Sequence, residues 1–282
     1  MLALAGSCLT WASNEDYSTM AISHRLRAIQ GINIALSASS RTSEDGDALL
    51  AACYALTIQS LFFTDGISEF LTLVRGCGIV SLLLRSDNVD VSFSIDPEYH
   101  WKFMESRLDD LPNINVDLFK GSVPSLRRLQ PLCEEQNVQK SFCNSLQDCA
   151  ESINTNSRQG LFQIIATFVY QYTNSNPAYH IFILLYQNFC NMDDQQFKYF
   201  ISPRNDVSQL LLAHFLALQI IFLPILERER QGRVIILPIE NQVDWLDKID
   251  KEVTPSFRSF LAWPTEVVKY AQTEAFQAWT QV

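Results

Sequence analysis

Five polar side chains lie inside segments that are otherwise almost wholly apolar: Gln59, Glu69, Arg75, His214 and Gln219. Burying such a group without a hydrogen bond costs roughly 1–3 kcal/mol, so each needs a partner. The ordinary partner is another protein group, in a network that fixes how helices pack. The alternative is a cavity where one or two of them orient a ligand held by apolar and aromatic walls. On their own, these residue types supply hydrogen bonds and a desolvated imidazole. The spacing limits what one helix can contribute. His214 and Gln219 are five residues apart, about 140° around a helix axis, so the two cannot face one narrow slot.

Chemistry with stricter requirements is absent from the sequence pattern. "GCGIVS" at Gly76 to Ser81 approaches a dinucleotide fingerprint, but the preceding "ISEFLTLVR" is helical where a strand is required. There is no H-E-x-x-H, G-x-S-x-G or phosphate-binding loop. None of the four histidines, His24, His100, His180 and His214, has a carboxylate or second histidine at i+3 or i+4, so neither a metal nor another cofactor is expected. Cysteines at 8, 53, 77, 133, 143, 149 and 190 include no C-x-x-C and leave one over if the rest paired. Buried free thiols in a reduced intracellular compartment, nucleus or cytoplasm, fit them best.

The elements that would position these groups are helical. Ile22, Leu26, Ile29, Ile32 and Leu36 recur at three and four residues, a stripe expected to face the core. Thr42-x-x-Asp45 has the form of a capping box ahead of Leu49, Leu50, Cys53, Leu56 and Leu61. A helix starting at Ile67 is expected to end or bend at Gly76 and Gly78. Apolar blocks at Leu161–Tyr172 and Tyr179–Cys190 flank the turn signal "TNSNP". Further helices are expected after Asp206, around Val243–Ile249 and after Pro264. "VDVSF" alternates over five residues and is the one candidate strand. The expected fold is all-α, one compact domain over 1–282, with buried apolar central helices, a hydrophobic cavity and a looser excursion over 87–137.

Composition narrows the partners. Net charge is −10, with 31 acids against 21 bases, and a phosphate backbone is bound mainly by Lys and Arg, so no direct nucleic-acid binding is expected. Val207–Leu226 holds 20 residues without charge, nominally enough to span a bilayer. It also holds Ser208, Gln209, His214, Gln219 and Pro224 between flanks of mixed sign, so it is expected to be a core helix and not a span.

"SEDGDALLAACYALTIQSLFFTDGISEFLTLVRGCGIV" resembles a segment of the C-terminal regulatory domains of fungal zinc-binuclear-cluster transcription factors of the sterol-uptake-control type. "HRLRAIQGINIAL" before it, "LLLAHFLALQIIFLPILERE" after it, and "VDWLDKIDKEVTPSF" leading into "LAWP" agree in order. The resemblance covers nearly the whole chain and implies a helical domain that binds a sterol- or terpenoid-like lipophile, often as a homodimer. The candidate ligand contacts, placed by helical position, are Tyr54, Gln59, Phe62, Phe63, His214, Phe215, Gln219, Phe222 and Trp245. The sequence departs from the family in having no six-cysteine zinc cluster and basic linker. That departure leaves a second expectation, a cofactor-free cyclase or pericyclase of fungal secondary metabolism. There His214, Arg75 and Gln59 would supply the hydrogen bonds that hold a polyene or terpenoid in its reactive conformer.

Overall fold

Helix α1 (Leu2–Ala12) and α2 (Ser18–Leu36) pack side by side, and Gly6 is where they touch. A Cβ there would stand 3.0 Å from that of Ala21. Helix α3 (Ser43–Ser60) starts at the expected capping box: Asp45 donates its backbone N–H to Thr42 Oγ1 at 3.2 Å, and its carboxylate accepts the Thr42 N–H at 3.0 Å. Helix α4 (Ile67–Ser86) continues through Gly76 and Gly78, so of the expected end or bend the end is corrected. A helical glycine costs about 1 kcal/mol against alanine, and one or two do not end a 20-residue helix.

The computed structural model describes residues 1–63, 66–92, 116–154, 177–228 and 239–273. Among these the secondary structure is helical throughout, an all-α fold without strands. The expected helix over Leu161–Tyr172 lies outside the described residues. The chain forms two compact units, Met1–His100 with Ile235–Trp245, and Trp101–Val234 with Leu246–Val282.

In the first unit α3 packs against α1, α2 and α4. Leu49, Leu50 and Cys53 meet Cys77, Val80 and Leu84 in its core. Val89 and Val91 pack onto that core with Asp90 exposed between them. The alternation of "VDVSF" is thus real, but no strand pairs with residues 89–92. The stripe expected on α2 is corrected. Its fully buried residues are Ala21 and Arg25, while Ile22 and Leu26 are exposed. Only Ile32 and Leu36, in the last turns, pack on the core.

The second unit is built from α5 (Val116–Lys120), α6 (Ser122–Cys133), α7 (Asn137–Asn154), α8 (Pro177–Asn191), α9 (Asp194–Phe200), α10 (Asp206–Arg228), a 3₁₀ segment (Pro255–Leu261) and α12 (Ala262–Ala271). Between the last two α-helices, α11 (Ile239–Glu252) carries Asn241 and Trp245 to the first unit. Part of the expected excursion is core: Leu118, Phe119, Leu126, Leu129 and Cys133 are buried. Helix α10 packs against α6, α7, α8, the 3₁₀ segment and α12, and every residue from Ser208 to Leu223 is buried. A helix apolar all round requires such surroundings. Among the described residues two helices, Ile67–Ser86 and Asp206–Leu223, are apolar and long enough to cross a membrane. The second has 89% of its window buried within the protein and is a core helix; the first, 28% buried, was not singled out by its sequence.

Candidate functional site

The sites begin with the polar groups inside the core. In the first unit Gln59 is fully buried and both ends of its amide are bound. Nε2 donates to Ala3 O and Ser7 Oγ, each at 3.1 Å, and Oε1 accepts from Arg25 Nη1 at 2.8 Å. Arg25 is 5% exposed, pairs with Glu69 at 2.7 Å, donates to Leu56 O and lies over the Phe63 ring at 5.4 Å. A buried guanidinium is tolerated because carboxylate, amide, carbonyl and ring together replace its water. Nothing in the sequence of α2 marks Arg25, because its partners are 31 to 44 residues away.

Trp245 donates Nε1–H to Phe63 O at 2.9 Å and its ring stands 5.8 Å from Phe70, while Asn241 donates to Leu61 O. Gly66 makes this approach possible, since Trp245 Cζ2 lies 3.2 Å from where a Cβ would be. Tyr54 packs on the Leu49–Leu84 core, with burial raising its phenol pKa. Phe62 and Phe63 are half-buried and Arg75 is half-buried on α4. A shallow hollow of about 270 Å³ opens between α1, α2 and α3, lined by Leu2, Leu4, Ala28, Ala52, Leu56 and His24. Drug-sized ligands fill roughly 300–1,000 Å³, so this hollow takes a fragment at most.

The second unit holds His214, Phe215, Gln219 and Phe222. Phe215 and Phe222 belong to a filled aromatic core: Phe182 stacks on Phe222 at 4.7 Å and on Phe215 at 6.1 Å, and Phe189 meets Phe215 edge-on at 5.6 Å. Gln219 is 4% exposed, and its Oε1 has no hydrogen-bond partner among the described residues. Its counterpart in the first unit is Gln242, 1% exposed, with neither amide atom bonded among the described residues. Gln139, also buried, shows the satisfied case, donating to Asn205 Oδ1 at 2.9 Å and Ser208 Oγ at 3.0 Å.

His214 sits in a built environment. Its Nδ1 is 2.8 Å from Leu210 O, and a carbonyl only accepts, so Nδ1 carries the proton. Burial pushes its pKa down to about 4, leaving the ring neutral near pH 7 with a lone pair on Nε2. That nitrogen is 2.8 Å from Ser125 Oγ, so the hydroxyl donates to it. Trp263 tilts against the imidazole at 5.5 Å between centroids and donates Nε1–H to Leu118 O at 2.9 Å. Gly121, between α5 and α6, gives Trp263 its place: a Cβ would stand 2.6 Å from Trp263 Cδ1.

Of the three groups expected to serve a cyclase, the chain divides Gln59 and Arg75 into one unit and His214 into the other, and Gln59 is wholly committed to internal bonds. Ser125 escaped sequence analysis because it is 89 residues from its partner and belongs to no motif. Among the described residues no group of three or more His, Cys, Asp or Glu is placed to hold a metal ion, and no disulfide joins any of the seven cysteines. Comparison with protein-family models, with curated proteins and with solved structures finds no match.

Proposed function

We propose that this chain is an intracellular ligand-binding module, similar to the regulatory domains its sequence resembles, and that its ligand is a sterol- or terpenoid-like lipophile bearing a hydrogen-bond donor. The observation that carries this is the Gln219 carbonyl. It is a buried acceptor without a partner among the described residues, on α10, a helix that is otherwise hydrocarbon from Leu210 to Leu223 apart from the bonded His214. An unsatisfied buried acceptor costs about 1–3 kcal/mol, and a ligand hydroxyl that reaches it removes that cost. Apolar walls with one or two unmet polar atoms are how lipophile sites combine affinity with orientation.

The test is native mass spectrometry of the purified chain, with extraction of whatever lipophile it retains, followed by titration with ergosterol. Replacing Gln219 by leucine is expected to weaken binding about tenfold, the equivalent of 1.4 kcal/mol, while leaving the empty protein as stable or more so. Absence of any retained or added lipophile, or equal affinity in the leucine variant, removes the proposal.

A further inference from the structure

Serines inside helices normally return their hydroxyl to the backbone of their own helix. This chain follows that habit at Ser60, Ser86, Ser145 and Ser152, each bonded to a carbonyl three or four residues back in its own helix. Ser125 is different. Its hydroxyl passes over the available turn and meets His214 Nε2, and His214 is itself held from behind by the Leu210 carbonyl. A hydroxyl on an imidazole whose other nitrogen is fixed by a third group is the arrangement that activates serine nucleophiles.

The surroundings distinguish this pair from an incidental contact. His214 is fully buried and Ser125 is half-buried, so the base is shielded while the oxygen stands nearer the surface. Trp263, wedged in by Gly121 and tied to Leu118 O, presents an aromatic wall against the imidazole. Arg128, one turn after Ser125 on α6, lies over Phe260 at 5.2 Å and places a cation with an aromatic ring one turn along.

We propose that Ser125 is a nucleophile and His214 its general base, forming a site for transfer of acyl groups from lipophilic carboxylic esters. Ser125 Oγ attacks the ester carbonyl as its proton moves to His214 Nε2, and the carbonyl π pair goes to oxygen. When that pair returns, the carbon–oxygen bond to the alcohol breaks. The leaving alkoxide takes the proton from Nε2, giving acyl-Ser125 and a free alcohol. Water then repeats the sequence and releases the carboxylic acid. Throughout, the Nδ1–H bond to Leu210 O holds the ring in the tautomer that leaves Nε2 free to accept.

The probe is an alkyl fluorophosphonate, which phosphonylates an activated serine with loss of fluoride. Incubation of the whole chain, followed by intact-mass measurement and peptide mapping, is expected to give one adduct on Ser125. The adduct is absent from Ser125→Ala and absent when wild type is unfolded in urea. The labelling rate is expected to fall roughly 100-fold or more in His214→Asn, the range of a lost general base. Folded wild type left unlabelled at Ser125 overturns the proposal, as does labelling that survives urea. If His214→Asn is folded by circular dichroism and labels as fast as wild type, the base assignment falls. Lipophile binding at Gln219 is read separately by the ergosterol titration, so failure of either leaves the other standing.

Discussion

Gly121→Ala is the sharpest test of how the His214 environment is held. The residue has helical angles, φ −70° and ψ −21°, so alanine meets no backbone strain, and at the N-cap of α6, outside the helix interior, it gains no helix propensity. Space decides the sign. The new Cβ would stand 2.6 Å from Trp263 Cδ1 and 3.2 Å from Nε1, where ordinary contact is 3.4–4 Å. The Trp263 Nε1–H bond to Leu118 O opposes retreat of the ring. Overpacking of this kind costs typically 1–3 kcal/mol. Gly31 in α2 and Gly76 in α4 serve as controls, because a Cβ on either meets nothing within 4 Å. Gly31 and Gly76 lie in helix interiors and Gly121 at an N-cap, so the gap between Gly121→Ala and the controls combines the propensity gained only by the controls with a steric contribution of about 1–3 kcal/mol, and the Trp263→Leu background separates the two. Urea unfolding followed by tryptophan emission and circular dichroism is expected to show the controls stabilised by about 0.5–1 kcal/mol and Gly121→Ala destabilised by about 1 kcal/mol. At roughly 2–4 °C per kcal/mol the same order appears in Tm. In a Trp263→Leu background the Gly121→Ala loss is expected to vanish, since the obstructing ring is gone. A Gly121→Ala protein as stable as the Gly31→Ala protein, with Trp263 undisturbed, would refute the close approach.

Two further outcomes are expected. His214 has its folded pKa depressed from 6.5 to about 4, chiefly by burial, so the unfolded chain takes up this proton at higher pH than the folded one. Its contribution to stability is therefore complete above pH 6.5 and is lost as pH falls to about 4; His214→Asn should lack that part of the unfolding-midpoint slope. In the first unit, Glu69 is about half exposed, so Glu69→Gln is expected to cost under about 1 kcal/mol. Arg25→Met strands Gln59 Oε1 and Leu56 O and should cost about 2 kcal/mol; equal losses in urea titrations would contradict this division of roles.

Helix type and most boundaries were legible because they rest on local rules. Thr42 and Asp45 cap α3 through a three-residue spacing, and the apolar length of α10 dictated a buried helix wherever its neighbours came from. The faces were less legible. On α2, periodicity points to Ile22 and Leu26, but the side facing α1 and α3 is Ala21 and Arg25, chosen by close approach at Gly6 and by the Gln59–Glu69 partners. Sequence flagged Gln59, His214 and Gln219 as polar groups in apolar company, and all three are buried. It could not separate the satisfied Gln59 from Gln219 with its bare oxygen, because the partners of Gln59 come from α1 and α2, 34 to 56 residues away. Ser125 gave no signal for the same reason.

The long reach of α11 sets an order of events on the ribosome. The Trp245 bond to Phe63 O spans 182 residues, and the Asn241 bond to Leu61 O spans 180. At roughly 5–20 residues per second, α1 to α4 emerge some 10–40 s before the residues that close the end of α3. During that interval the Leu61 and Phe63 carbonyls and the Phe70 ring wait without the Asn241 and Trp245 side chains that meet them in the finished protein, so the end of α3 is completed only by the chain's own later synthesis.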